Sequence, residues 1–210
     1  MNEKQKKVMV GMSGGIDSSV TAYMLQQEGY EVEGIYLKLH NRTDGYHERN
    51  LGYIDDVAKF LDIKYHILDL ANEFSKEVYD YFVDSYLTGT TPNPCVKCNK
   101  QIKFGSMLKF AKEHGADFLA TGHYAKTDGE FFYEADDKTK DQSYFLSQVD
   151  KEALKYMMFP LSTYKKEDIV KFGADLDVAY KKITEKSESQ EICFVETVYT
   201  DVVKRHANID

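Results

Sequence analysis

Cysteine is scarce in this chain, long apolar runs are missing, and one stretch has no acidic residue; each shortage removes a class of protein. No apolar run among the 210 residues approaches the roughly 20 that cross a bilayer. Lys4, Lys6 and Lys7 precede only a few apolar residues before Ser13, too short for a secretory signal core, so a cytoplasmic location without a membrane partner is expected. Three cysteines are an odd count and too few for a disulfide scaffold; Cys95, Cys98 and Cys193 are therefore expected to be reduced thiols, ligands or catalysts. The formal net charge of -8 argues against broad, sequence-blind nucleic-acid binding. Between Ser85 and Lys112, however, acidic residues are absent while Lys97, Lys100, Lys103, Lys109 and Lys112 are present. A basic stretch that also holds two cysteines points to an anionic partner at that place. With 42% hydrophobic and 30% charged residues, the chain suits one domain with a real core and a small appendage.

The run Val8 to Ser19 carries the clearest chemistry. A short apolar strand enters Ser13-Gly14-Gly15-Ile16-Asp17-Ser18-Ser19, and a helical pattern follows at once. Adjacent glycines let successive N–H groups face one anion, and the new helix turns its positive end to the same spot. Hydroxyls of Ser13, Ser18 and Ser19 are expected to add donors, so the place suits phosphate oxygens. No lysine lies between Val8 and Gln27, which excludes a Walker loop, and Gly11, Gly14 and Gly15 do not fit a Rossmann fingerprint. The run resembles the PP-loop of the ATP pyrophosphatases, which hold the pyrophosphate of ATP while AMP is transferred. That resemblance makes Asp17 a candidate ligand for Mg2+ bridging the phosphates. The plainer alternative is a strand-to-helix turn in which Asp17 and the serines act as caps.

Apolar periodicity alternates strands and helices. Strands are expected at Val8–Gly11, Val32–Leu37, Tyr65–Leu68 and Phe118–Thr121, with helices at Ser18–Glu28, Tyr53–Leu61, Asn72–Tyr86 and Phe104–His114. Tyr124–Lys126 and Phe131–Glu134 read as a hairpin. The fold class is α/β, a parallel sheet with ligands at the carboxyl ends of its strands. After about Asp150 helices without strands are expected, around Lys151–Met158 and Thr163–Phe172. The division is 1–149 for the nucleotide domain and 150–210 for a small, mainly helical appendage.

In Thr91-Pro92-Asn93-Pro94-Cys95-Val96-Lys97-Cys98-Asn99-Lys100, two prolines are expected to keep the loop out of a helix. Cys98 should then lie just before a lysine-rich helix, a setting that favours thiolate. This run, the glycine loop, Ile102-Lys103-Phe104, Ala120-Thr121-Gly122-His123-Tyr124, Lys140-Asp141-Gln142-Ser143-Tyr144-Phe145-Leu146 and Ile192-Cys193-Phe194 together resemble the bacterial tRNA-specific 2-thiouridylases, in that family's order.

The resemblance implies an adenine nucleotide α-hydrolase-like fold and an ATP-dependent sulfurtransferase. It would adenylate the C2 oxygen of the wobble uridine of tRNA and then displace AMP with a persulfide sulfur supplied by a donor protein. Cys193 would carry the persulfide and Cys98 would close a disulfide to release it. Gly11, Met12, Ser13, Gly14, Gly15, Ile16, Asp17 and Ser18 would bind ATP, with Leu37 and Gly122 lining the adenosine pocket. Asn93, Pro94 and Cys95 would meet the target base, and His123, Lys140, Asp141 and Gln142 the rest of the tRNA. The target base must turn out of its stack to reach such a site. Family members carry a C-terminal β-barrel that this sequence does not encode, so the N-terminal part alone is expected here. Cys95 occupies a position that is not always cysteine in the family; with Cys98 and Cys193 it could instead hold an iron–sulfur cluster. Two rivals stand beside this reading: another PP-loop adenylating enzyme (an amide-forming synthetase or a different tRNA thiolase), and a non-enzymatic metal- or cluster-holding RNA-binding module.

Overall fold

In the computed structural model the described residues are 5–41, 43–185, 193–195 and 199–207. Strand β1 (Lys7–Gly11) leads through a glycine turn into α1 (Ile16–Gln27), then β2 (Glu31–Lys38), α2 (Tyr46–Leu61) and β3 (Tyr65–Asp69). Helix α3 runs over residues 71–87 and α4 over residues 94–113, before β4 (Phe118–Thr121). Strands β5 (Lys126–Thr127) and β6 (Phe132–Tyr133) pair antiparallel as the expected hairpin. A short α5 (Lys151–Leu154), β7 (Met157–Met158), α6 (Lys166–Leu176), α7 (Val178–Thr184) and α8 (Tyr199–Ala207) follow.

The main sheet has the order β3-β2-β1-β4-β7, parallel throughout. Such strands are covered on both faces, so the apolar side chains of the central ones meet a core on either side. Val8 and Val10 of β1 join Val20, Leu25, Ile54, Val57 and Tyr180 on one face, while Met9 joins Ile35, Met107, Leu119 and Leu146 on the other. Each fully buried large side chain contributes about 1.5–3 kcal/mol relative to exposure.

Strand order decides where a ligand can sit. From β1 the chain builds outward through β2 to β3, then returns to place β4 on the other side of β1. The crossovers therefore diverge at β1 and β4 and leave a crevice beyond their carboxyl ends. Gly11 to Ser18 leave one end and Thr121 to His123 the other.

Two expectations are corrected. Helices without strands after Asp150 is wrong, because Met157 and Met158 pair with Leu119 and Ala120 as the fifth strand of the main sheet. The prolines do not exclude a helix either. Pro94 is its first residue, where the missing N–H costs nothing, and Asn93 caps it, Oδ1 accepting from the Val96 N–H at 3.2 Å. Cys98 thus lies inside α4, which widens to a π-helical form over Asn99–Met107.

Replacing Leu119, wholly buried in β4 in the core cluster with Met9, Met107 and Leu146, should leave a cavity. Leu119→Ala is expected to lower stability by about 2–5 kcal/mol in urea denaturation, with an unchanged m-value.

Candidate active site

The glycine turn is held by its own backbone and by one close approach. Met12 donates its N–H to the Ile35 carbonyl at 2.8 Å, fastening the turn to β2. Gly14 has φ +75, and a Cβ there would lie 2.9 Å from the Asn50 carbonyl oxygen. No side chain caps the first turn of α1, whose N-cap is Gly15, so its N–H groups keep their positive end for a ligand. The capping alternative for Asp17 and the serines is not what the chain does.

The serines divide their work. Ser18 and Ser19 each donate from Oγ to the Gly15 carbonyl at 3.0 Å, and the Ser13 N–H donates to Ser18 Oγ at 3.2 Å. The hydroxyls of Ser18 and Ser19 therefore brace the turn, and only Ser13 is exposed. Met12 and Ile16 turn their side chains into the core, leaving backbone alone to the crevice.

Asp17 is half-buried and strongly held. Lys166, from α6, reaches both carboxylate oxygens at 2.7 Å, and the Tyr124 hydroxyl donates to Oδ1 at 2.9 Å. Sequence reasoning missed Lys166, because nothing in a local pattern couples residues 149 apart. Asp17 brings a single carboxylate, the kind of oxygen donor Mg2+ takes, to the glycine turn, and both its oxygens are engaged by the Lys166 ammonium.

Gly122 presses β4 onto the start of α1. A Cβ there would lie 2.9 Å from the Asp17 backbone carbon and Cβ and from the Ser18 nitrogen. One residue on, His123 is buried; Nδ1 meets Thr121 Oγ1 at 2.7 Å and Nε2 meets Lys103 Nζ at 3.3 Å. Burial, reinforced by the Lys103 charge, holds this imidazole's pKa well below the usual value, so it is neutral. An ammonium only donates, so Nε2 accepts from Lys103 and the ring proton sits on Nδ1, directed at Thr121.

Lys103 stands among the thiols. Its charge acts on Cys95, Cys98 and Cys193 alike, and the three cysteines lie close enough that Cys98 feels both others. Cys98 is packed with Phe74, Val78 and Ile102, and Phe194 packs on the same cluster. The Phe194 ring centroid is 5.7 Å from Phe74, 5.6 Å from Tyr79 and 5.1 Å from Phe82. That aromatic clasp brings Cys193 to Cys98, a role the sequence did not reveal for Phe194.

The expectation of a thiolate at Cys98 is corrected. Burial pushes its thiol up to about 12, outweighing the opposing Lys103 charge. Burial also raises the Cys95 thiol against Lys103, and desolvation by the surrounding protein raises that of Cys193 although the residue itself is exposed. Among the described residues no three Cys, His, Asp or Glu side chains are grouped to hold a metal. Of the other expected residues, Pro94 is buried, Cys95 half-buried, and Leu37 half-buried between the α4 face and the Cys98 cluster. Lys140 donates its N–H to the Asp137 carbonyl at 3.1 Å. Asn99, also missed, is buried with its Oδ1 lacking a donor among the described residues, a state costing about 1–3 kcal/mol.

The family model of the tRNA methyl transferase HUP domain matches residues 6–197. The chain belongs to that family. It is 91% identical over 206 residues to the tRNA-specific 2-thiouridylase MnmA 1 of Aliarcobacter butzleri (strain RM4018), a match covering 98% of this chain and 60% of that protein. The chain thus spans about 60% of the length of such relatives. Among solved structures, a 4-thiouridine synthetase–RNA complex with bound ATP aligns over 90% of this chain and 45% of that one, with TM-score 0.61 and 20% identity. The U34-tRNA thiolase NcsA from Methanococcus maripaludis with its [4Fe-4S] cluster aligns over 98% and 66%, with TM-score 0.54 and 19% identity. Both likenesses are of fold. This HUP domain has no helix, among the described residues, long and apolar enough to cross a membrane.

Because burial favours the neutral thiol of Cys98, its iodoacetamide alkylation in the folded protein should keep rising about tenfold per pH unit through pH 9. In urea the same thiol should level off near its ordinary pKa of about 8.5. Lys103→Met should slow folded-state alkylation further; a plateau by pH 8 would contradict the burial argument.

Proposed function

We propose that this chain is the ATP-using portion of a tRNA 2-thiouridylase, which makes 2-thiouridine at the wobble position. The observation that carries this reading is the link from phosphate turn to thiols through three consecutive residues: Gly122 presses on Asp17 and Ser18, while His123, fixed by Thr121, holds Lys103 among the cysteines. An amide-forming synthetase has no use for that second half. A non-enzymatic module has no use for the first. The family membership and the names of close relatives support the same reading.

The uracil C2 oxygen attacks the α-phosphorus of ATP, the α–β bridging bond breaks, and pyrophosphate leaves from the turn Gly11 to Ser18. The backbone of Gly14 and Gly15, Ser13 and the first turn of α1 neutralise the departing charge. Were Mg2+ bound, Asp17 would be the side chain to hold it, and it would supply Lewis-acid stabilisation of the phosphate charge. A persulfide on Cys193 then adds its terminal sulfur to C2, and AMP departs with the former C2 oxygen. Cys98, as thiolate, attacks Sγ of Cys193; the S–S bond breaks toward the new thiouridine and a Cys98–Cys193 disulfide remains. A cellular thiol reductant reopens it, and a persulfide donor protein in the cytoplasm reloads Cys193. Lys103 offsets the burial that both thiols work against. No step here uses a cluster.

Given ATP, unmodified tRNA and a persulfide source, the whole protein should release AMP and pyrophosphate in equal amounts; stoichiometric ADP and orthophosphate would contradict the assignment. Asp17→Asn should cut turnover by roughly 10²-fold or more and weaken its magnesium dependence, read by titrating the metal.

A further inference from the structure

Two consecutive residues of α4 act on Cys98 in opposite senses. Ile102 packs on it in the apolar cluster with Phe74 and Val78, while the Lys103 charge bears on the same thiol. An α-helix cannot supply both neighbours. At about 100° per residue, the fourth residue along lies about 40° round from the first, but the fifth lies about 140° round, on the far side. Helix α4 escapes this conflict because it is π-helical over Asn99–Met107. There each hydrogen bond spans five residues, so the residues four and five positions along straddle the first.

Glycine at position 105 permits the wide turn. A Cβ on Gly105 would lie 2.9 Å from the Lys100 carbonyl oxygen, closer than a side chain can come without displacing backbone. The segment is pinned at both ends. Asn99 donates from Nδ2 to the Phe145 carbonyl at 3.2 Å, and Ser106 donates from Oγ to Glu73 Oε1 of α3. Phe145 belongs to the tight turn Ser143–Leu146. Asp141 braces that turn by accepting from the Ser143 hydroxyl at 2.8 Å, and Gln142 Oε1 ties it to the Tyr124 N–H at 3.1 Å. Between the two anchors, Phe104 and Met107 enter the core that holds Met9 and Leu119. His123 accepts from Lys103 Nζ at 3.3 Å and so holds the ammonium where the π form delivers it.

We propose that Gly105 is a positioning residue for the sulfur chemistry: it admits the π form of α4, and the π form sets Ile102 and Lys103 together on the side of Cys98. Long π-helical stretches are rare, and glycine is a poor helix former, so neither is kept for helix stability. What the pair achieves is geometric. The ammonium reaches the thiols without removing the apolar cover from Cys98. This inference rests on the thiouridylase reading for the use of the thiols, and adds the element that places their counter-charge.

Two measurements test it. In the parent, NMR couplings through the hydrogen bonds of Asn99–Met107 should link each amide nitrogen to the carbonyl carbon five residues before it. Couplings to the carbonyl four residues before would overturn the proposal, whether or not any variant folds. Gly105→Ala should let the segment tighten and turn Lys103 away from Cys98. Iodoacetamide alkylation of Cys98 at pH 8 in the folded protein should then slow roughly tenfold, as in Lys103→Met, and the double variant should be no slower than either single one. A change that merely loosened the fold would open the thiol to reagent and speed its alkylation. Single-turnover thiolation by the whole protein with persulfide-loaded Cys193 should slow in step with the alkylation. Parental or faster alkylation in Gly105→Ala, or losses that add in the double variant, each overturns the positioning role while leaving the thiouridylase reading standing. A parent that forms no 2-thiouridine overturns both.

Discussion

Everything in the candidate site depends on how closely β4 approaches the start of α1. At Gly122 the space for even one methyl group is already filled by the backbone of Asp17 and Ser18. Two chain segments more than a hundred residues apart thereby share one position beyond the sheet's carboxyl edge. Because β1 and β4 are hydrogen-bonded neighbours in register, Gly11 opposite Thr121, the contact follows from strand order rather than from a mobile loop. His123 emerges from the same strand end and carries the fixed geometry outward to Lys103.

On the thiol side, electrostatics and burial oppose each other. An apolar setting protects a sulfur carrier from stray solvent chemistry but disfavours the anion that must react. The Lys103 ammonium is the counterweight among the described residues, and a neutral imidazole is a suitable support for it. A charged His123 would repel Lys103, whereas the neutral ring accepts its hydrogen bond and passes orientation on from Thr121. Burial therefore serves two residues differently: it stores Cys98 as a thiol and keeps His123 an acceptor.

The central strands were readable because parallel strands covered on both faces are short continuous apolar runs, as Val8 to Val10 and Leu119 to Ala120 are. The glycine turn was readable because its residues are contiguous. What escaped was either too short or too distant. Met157–Met158 is two residues of strand, with no period to detect. Asn93-Pro94 read as a helix breaker, although proline with a capping asparagine before it starts a helix. The Lys166–Asp17 pair and the Phe194 clasp are tertiary encounters with no local signature. The sign of the Cys98 shift was misjudged for the same reason. Neighbouring lysines are visible in sequence, whereas the cluster of Phe74, Val78 and Ile102 that buries the thiol is assembled only by folding.

We propose that phosphate turn and thiols act as one site, with Cys193 carrying the sulfur and Cys98 releasing it to the uridine by closing a disulfide. The most direct measurement is a single turnover of the whole protein, loaded with persulfide on Cys193 and mixed with ATP and unmodified tRNA without reductant. Non-reducing peptide mass spectrometry would count Cys98–Cys193 disulfide against AMP released and 2-thiouridine formed. The account predicts one disulfide for each AMP and each thiolated uridine. Thiolated product accompanied by AMP while Cys98 remains a free thiol would contradict it.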